Sequence, residues 1–171
     1  MYEDIVNEYL DMPLPTRIDR DDGGLTLPRL APHDPVWSIV GVRRCGKTNM
    51  LYQLMDGLIK RGIPRELMLY VDFDDDRLDT DSRTCANDAL EAYYELVPEA
   101  RQGCYLFLDE IQEAQGWQTF VRRVSEHDSV TIVPLWLILQ AALHRHPHRA
   151  SRPVVQSHDV AAGVLGVLQV P

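Results

Sequence analysis

The sequence has few cysteines and no excess of positive charge. Its three cysteines, Cys45, Cys85 and Cys104, are odd in number and form no Cys-x-x-Cys pair, which predicts reduced thiols in a cytosolic protein. The net charge of −9 argues against a broad nucleic-acid-binding surface on this chain.

Long hydrophobic runs are also missing. The longest apolar run, 130–143, is shorter than the roughly 20 residues that a membrane span needs, and Pro134 and Gln140 interrupt it. The first residues, MYEDIVNEYLDMPLP, are acidic and contain no apolar segment, so no signal peptide is predicted. We therefore expect a cytoplasmic location without membrane attachment.

The composition changes sharply near residue 130. Residues 1–130 contain 25 of the 26 acidic residues, whereas residues 131–171 contain one acid, three arginines and four of the six histidines. We accordingly predict three segments: a lead segment (1–35), a core (36–133) and an aberrant or divergent C-terminal tail (134–171).

Apolar strand patterns alternate with helical patterns along the core. The predicted elements are a leading helix at about Tyr2–Asp11, a strand at Val36–Gly41, a helix from Lys47 to a stop at Gly62, a strand at Leu67–Phe73, a helix at Ala86–Val97, a strand at Cys104–Asp109, a helix at Trp117–Glu126 and a strand at Ser129–Val133. This alternation predicts an α/β fold, with helices flanking a parallel sheet.

The segment GVRRCGKT matches the phosphate-loop pattern G-x-x-x-x-G-K-[ST], or Walker A motif. An apolar strand precedes it and an amphipathic helix follows it, which is the setting in which backbone N–H groups and a helix N-terminus hold phosphate oxygens. The alternative is a glycine turn that merely joins a strand to a helix. The cofactor-binding candidates are Gly41, Arg44, Cys45, Gly46, Lys47, Thr48 and Asn49.

A second acidic element, Asp109 followed by Glu110, ends the apolar strand YLFLD. Parallel strands deliver their carboxyl ends to one edge of the sheet, so both acids should face the phosphate loop. We expect Thr48 and Asp109 to hold Mg²⁺, and Lys47 and Glu110 to be catalytic, with Glu110 orienting and polarising the attacking water. The alternative is two exposed acids at a strand end.

With both motifs placed, the chain resembles a family of AAA+-type P-loop ATPases of bacteria and archaea. The likeness covers about residues 1–133 and includes LPTRIDRD, GVRRCGKTNMLYQL, LYVDFDDDRL and LFLDEIQEAQGWQTFVRRV, a DEIQ-type Walker B element followed by Trp117. The resemblance implies an ATP-binding core followed by a C-terminal winged-helix or nuclease-like region, with Gln112 near the γ-phosphate. Asn49 stands where the family usually has threonine or a similar residue, a departure that we expect to be tolerated.

Two other clusters of metal-ligand residues do not form recognisable sites. DFDDDRLDTD has alternating aspartates, but Arg77 stands where a calcium loop needs glycine. The histidines His144, His146 and His148 lack neighbouring cysteine or carboxylate ligands of a closed metal site. We therefore expect the first cluster to be a solvated acidic loop and the histidines to bind no metal.

The tail lacks the signatures that the resemblance implies after the fourth strand, among them a polar nucleotide sensor. Read one base later, the single codon of Trp136 forces a glycine, and permitted codons allow Gly-Ser-Ser-Ser-Lys-Leu-Leu-Ser over 136–143 and two later signatures over 150–154 and 161–170. We therefore hypothesise a frameshift; the alternative is a divergent segment. Unless RPVVQ or GVLGVLQV substitutes for a fifth strand, the first strand would become an exposed sheet edge.

Taken together, the sequence predicts ATP binding with Mg²⁺, hydrolysis in the intact family member, and weak or no turnover by this chain. Fold analogy admits a protein partner or a homo-oligomer, and nucleic acid only through the missing C-terminal region. A non-catalytic, nucleotide-dependent interaction switch is one alternative. A small-molecule kinase is another, although neither an acceptor pocket nor an arginine-rich lid is recognisable in the sequence.

Overall fold

The computed structural model describes residues 1–15, 27, 36–41, 46–137, 154–158 and 165–170. Its helices are α1 (Tyr2–Asp11), α2 (Lys47–Lys60), α3 (Cys85–Leu96) and α4 (Trp117–His127), and its strands are β1 (Val36–Gly41), β2 (Met68–Asp72), β3 (Cys104–Asp109), β4 (Val130–Leu137), β5 (Val154–His158) and β6 (Leu165–Val170). Short 3₁₀ turns lie at Arg65–Leu67, Pro98–Gln102 and Ile111–Glu113.

The strands form one sheet in the order β2-β3-β4-β1-β6-β5. β2, β3, β4 and β1 run parallel to one another, with Asp72 opposite Asp109 and Ile39 opposite Leu135. All six residues of β3 are buried, as expected for a parallel strand covered on both faces. This part of the fold confirms the predicted α/β sheet flanked by helices.

Helix α2 shows how local sequence sets an element. Its apolar residues recur at helical spacing and are buried: Met50, Leu51, Leu54, Met55 and Leu58. At its C-terminal end Gly62 adopts φ 84°, the Gly62 N–H donates to the Ile59 carbonyl and the Ile63 N–H donates to the Leu58 carbonyl. This pair of hydrogen bonds is a Schellman motif, so glycine ends the helix where the sequence predicted.

Helix α1 packs against β2 and α3, and hydrogen bonds to Arg65 and Asp75 hold it in place. It buries Ile5, Val6 and Tyr9. The Arg65 guanidinium donates to the Tyr9 carbonyl at 2.7 Å, and the Tyr9 hydroxyl donates to Asp75 at 2.8 Å. The lead segment therefore contributes to the core through this helix.

Two strands from the tail extend the sheet beyond β1. β6 pairs antiparallel with β1 along the full length of both strands, and β5 pairs antiparallel with β6. The edge of β1 is therefore covered by Leu165–Val170, which belongs to GVLGVLQV, one of the two segments that the sequence offered as substitutes. The outermost strand, β5, includes the last three residues of the other segment, RPVVQ.

Strand β4 is longer than predicted. It continues past Val133 through Pro134 to Leu137, with Pro134 opposite Leu108 of β3. Proline has no N–H to donate to the ladder and is rare in a central strand, which is why the sequence pattern ended the strand before it.

Among the helices that the structure describes, none combines the length and apolar character that a membrane crossing requires.

Candidate functional site

The carboxyl ends of β2 and β3 and the first turn of α2 meet at one edge of the sheet. The Thr48 hydroxyl donates to Asp109 Oδ2 at 2.9 Å, and Lys47 Nζ lies 3.9 Å from Glu110 Oε1. Residues about 60 positions apart in sequence are thus in direct contact, as the parallel arrangement requires. The structure brings together the four residues to which the sequence assigned metal binding or catalysis.

Gly46 sets the geometry in which α2 begins. It adopts the left-handed conformation with φ 88° and ψ 30°, which a glycine reaches without a Cβ penalty. No side chain caps the helix at this position, and the Gly46 carbonyl accepts the Met50 N–H at 3.1 Å. The N–H groups of the first turn have no intrahelical partners, so this end of α2 can hold an anion.

Asp109 is buried and has one oxygen fully engaged and one without a partner. Oδ2 accepts hydrogen bonds from Thr48 at 2.9 Å and from the Tyr70 hydroxyl at 3.2 Å. Oδ1 is buried and makes no hydrogen bond with any residue in the described part of the chain. A buried carboxylate oxygen without a partner is costly, and a hard divalent cation such as Mg²⁺ is the group that would satisfy it.

The electrostatics of the site point the same way. Burial raises the pKa of Asp109 to about 6, against the lowering effect of the Thr48 hydrogen bond. The negative charges of Asp72 and Glu110 raise this pKa further, and the Tyr70 hydrogen bond lowers it. An added cation would favour the ionised carboxylate, so the residues present fit Mg²⁺.

The residues at this edge do not enclose a cation by themselves. Among the described residues, no group of three or more histidine, cysteine, aspartate or glutamate side chains is arranged to hold a metal ion. Mg²⁺ is commonly held by one or two protein ligands together with water and substrate phosphates. Thr48 and Asp109 are two such residues, and they are in contact at this edge.

Glu110 is held in an unusual backbone conformation. It has φ 47° and ψ 38°, and it is the one non-glycine residue with positive φ in the described part of the chain. Its Oε2 accepts a hydrogen bond from Gln112 Nε2, while Oε1 faces Lys47. Such backbone conformations cost on the order of 1–3 kcal/mol and cluster at functional sites, because the surrounding structure has to enforce them.

Two further residues at the site were not singled out from the sequence. Asp72 lies at the end of β2 next to Asp109, and burial raises its pKa. Its position after an apolar strand is the same signal that identified Asp109. Tyr70 carried no such signal, since a tyrosine inside an apolar strand reads as core.

The remaining candidates are only partly described. Gly41 is the last residue of β1 and lies opposite Leu137 of β4. Asn49 lies in the first turn of α2 and makes interactions of its own. Arg44 and Cys45, together with the histidines His144, His146 and His148, lie outside the described residues.

Comparisons with known proteins agree with this architecture. A model described as "AAA domain" matches residues 33–134. An uncharacterized protein of Haemophilus influenzae is 35% identical over 96 residues, which cover 55% of this chain and 24% of that protein. An uncharacterized protein of Methanocaldococcus jannaschii is 28% identical over 126 residues, which cover 74% of this chain and 26% of that protein.

The matches cover about a quarter of the length of each of these two relatives. No solved structure matches the chain at a significant level.

Proposed function

Because the chain belongs to the AAA domain family, we propose that it binds ATP together with Mg²⁺ where β1, α2 and β3 meet. The observation that carries this proposal is the 2.9 Å hydrogen bond between Thr48 and Asp109. It couples the first turn of the phosphate-binding helix to a buried carboxylate with an unpartnered oxygen. The phosphates of a nucleoside triphosphate would bind at the N-terminus of this helix, and the accompanying metal ion would bind the unpartnered oxygen of Asp109.

Each candidate residue then has a definite role. The backbone N–H groups from Gly41 to Asn49, with Arg44 and Cys45 inside the loop, bind the phosphates. Lys47 is 6% exposed, and its ammonium group neutralises the β- and γ-phosphates. Thr48 and Asp109 hold the metal, which screens the charge that develops on the phosphate oxygens.

Hydrolysis requires Glu110 to act on a water molecule. Its carboxylate faces Lys47 and accepts a hydrogen bond from Gln112. Phosphates give Lys47 a different partner, and Glu110 is then available to orient and polarise the attacking water. Gln112 keeps the carboxylate directed towards the site during this exchange.

We further propose that this chain turns ATP over weakly or not at all. The polar nucleotide sensor that the family resemblance implies after the fourth strand is not recognisable in residues 134–171. The family match ends at residue 134, close to the change in composition. Both observations support the hypothesis that the tail is read one base out of frame.

Sequencing the coding DNA from Val133 onward tests the frameshift hypothesis. A continuous shifted frame that encodes Gly-Ser-Ser-Ser-Lys-Leu-Leu-Ser supports it, and a shifted frame interrupted by stop codons refutes it.

A nucleotide-dependent interaction switch is the second candidate function. The contact of Glu110 with Lys47 favours it, because this contact pairs the predicted catalytic carboxylate with the phosphate-binding lysine. In either case we expect a cytoplasmic protein, and fold analogy admits a protein partner or a homo-oligomer.

Equilibrium binding of a fluorescent ATP analogue tests the central proposal. We expect binding with Mg²⁺ that is lost in Lys47→Ala and loses its metal dependence in Asp109→Asn. Lys60→Ala is the matched control, because Lys60 is exposed at the opposite end of the same helix. If the wild-type chain binds no nucleotide, or if Lys60→Ala weakens binding as much as Lys47→Ala, the proposal is wrong.

A further inference from the structure

The hydrogen bonds around Asp109 are unevenly divided between its two oxygens. Thr48 and Tyr70 both donate to Oδ2, at 2.9 Å and 3.2 Å. Oδ1 is buried without a partner among the described residues. Two donors on one oxygen fix the rotation of the carboxylate about its Cβ–Cγ bond, and this rotation determines where Oδ1 points.

Tyr70 is itself held in place by aromatic neighbours from two other elements. Its side chain is buried, Tyr9 of α1 packs edge-on against it at a centroid distance of 5.6 Å, and Tyr52 of α2 packs at 5.3 Å. The ring therefore has little room to rotate away from Asp109.

We propose that Tyr70 is a positioning residue for the metal: its hydroxyl holds Asp109 Oδ2 so that Oδ1 faces the Mg²⁺ that accompanies ATP. This inference rests on the proposed function. Thr48 also donates to Oδ2, but its hydroxyl oxygen is itself a proposed metal ligand, so Tyr70 is the donor that stays outside the coordination of the metal. Outer-shell partners of metal ligands orient the ligand, and losing one typically lowers metal affinity by roughly 10–100-fold.

The ring of Tyr70 also connects the site to the lead segment. Tyr9 packs on Tyr70 and donates its hydroxyl proton to Asp75 in the loop after β2. Helix α1 thereby helps to hold Tyr70 against Asp109, the proposed metal ligand at the end of β3.

Metal titration of the Tyr70→Phe variant tests the role of the hydroxyl. The variant keeps the ring and removes only the hydroxyl. We expect the fluorescent ATP analogue to bind it in EDTA within about twofold of the wild type. We expect the apparent Kd for Mn²⁺ in the ternary complex with a non-hydrolysable ATP analogue, measured by electron paramagnetic resonance, to rise about tenfold.

Tyr93→Phe is the matched control, because Tyr93 is a fully buried tyrosine whose hydroxyl donates to the Glu66 carbonyl at 2.7 Å, away from Asp109. It should lower stability without changing Mn²⁺ affinity. If Tyr70→Phe is unfolded at 25 °C, the titration is run at lower temperature in sucrose, which favours the compact state.

An Mn²⁺ Kd in Tyr70→Phe within twofold of the wild type would overturn the inference, as would an equal loss in Tyr93→Phe. Failure of the proposed function has a different signature, since the wild-type chain would then bind no nucleotide in EDTA or with metal.

Discussion

Asp72 and Asp109 lie directly opposite each other at the carboxyl ends of the parallel strands β2 and β3. Two carboxylates therefore lie at one partly buried edge of the sheet. A backbone hydrogen bond from the Phe73 N–H to the Asp109 carbonyl, at 3.0 Å, holds the two strand ends together. The charge of Asp72 is one of the causes that raise the pKa of Asp109 to about 6. The arrangement concentrates negative charge where a cation is expected.

Removing the charge of Asp72 should lower the pKa of Asp109. In Asp72→Asn the ionised form of Asp109 loses a repulsive neighbour, so its titration midpoint should move below the wild-type value of about 6. Carboxyl ¹³C NMR of the metal-free protein between pH 3 and pH 8 measures this midpoint. An unchanged or raised midpoint would show that Asp72 does not act on Asp109 through its charge. Asp76→Asn, which removes an exposed carboxylate from the following loop, is the control.

Asp109 should destabilise the metal-free protein above pH 6. Its pKa is raised from 3.8 to about 6 in the folded state, so the folded state binds the proton more tightly than the unfolded state does. The stability that this proton provides is present below pH 4 and is lost as the pH rises through about 6. The Asp109→Asn variant avoids this loss, and its free energy of unfolding at pH 8 should exceed that of the wild type by up to about 3 kcal/mol.

Urea unfolding in EDTA at pH 4 and pH 8 measures the difference. The advantage of Asp109→Asn should be largest at pH 8 and should shrink when Mg²⁺ and ATP are added, because the bound metal favours the ionised carboxylate. Equal stabilities at pH 8 in EDTA would contradict a buried, ionised Asp109.

The contact between Lys47 and Glu110 separates the two candidate functions. In Glu110→Gln, Lys47 loses an anionic partner at 3.9 Å and is freer to bind phosphate. ATP affinity should therefore be unchanged or tighter, while any hydrolysis measured as phosphate release should fall about 100-fold or more. Glu113→Gln, which removes an exposed acid from the same turn, should change neither quantity.

Glu110→Gln also distinguishes a hydrolase from a switch when protein interaction, with a partner or between copies of the chain, is measured in the presence of ATP. Loss of a partner interaction in Glu110→Gln would indicate that hydrolysis is needed. An interaction that persists would indicate that nucleotide binding suffices. Weaker ATP binding in this variant would show that Glu110 does not compete with phosphate for Lys47.

The site could be predicted from sequence where backbone geometry dictates residue type. The contact of Thr48 with Asp109 follows from a phosphate-loop pattern and an acid at a parallel strand end, because the sheet brings both to one edge. The role of Tyr70 could not be predicted in this way. Its contact with Asp109 depends on strand register and on the packing of Tyr9 and Tyr52, which no local pattern encodes.

The sheet shows the same division. β1, β2 and β3 are continuous apolar runs and were predicted nearly to the residue. The extension of β4 through Pro134 was missed, since proline normally ends a central strand. The pairing of β6 with β1 joins positions more than 120 residues apart, and such non-local pairing leaves no periodic signal nearby.

The pairing of β6 with β1 can be tested by its contribution to stability. Val167 lies opposite Ile39 on one side and Gln156 on the other, so its backbone is within the ladder on both sides. The Val167→Pro variant removes a donor there and should uncover β1, increasing aggregation and lowering the free energy of unfolding by on the order of 2 kcal/mol, the cost of an acceptor left without its partner. Val154→Pro is the control, because Val154 is the first residue of the outermost strand, where proline is tolerated. Urea unfolding and light scattering report the two effects. Equal stability of the two variants would mean that β6 does not protect the edge of β1.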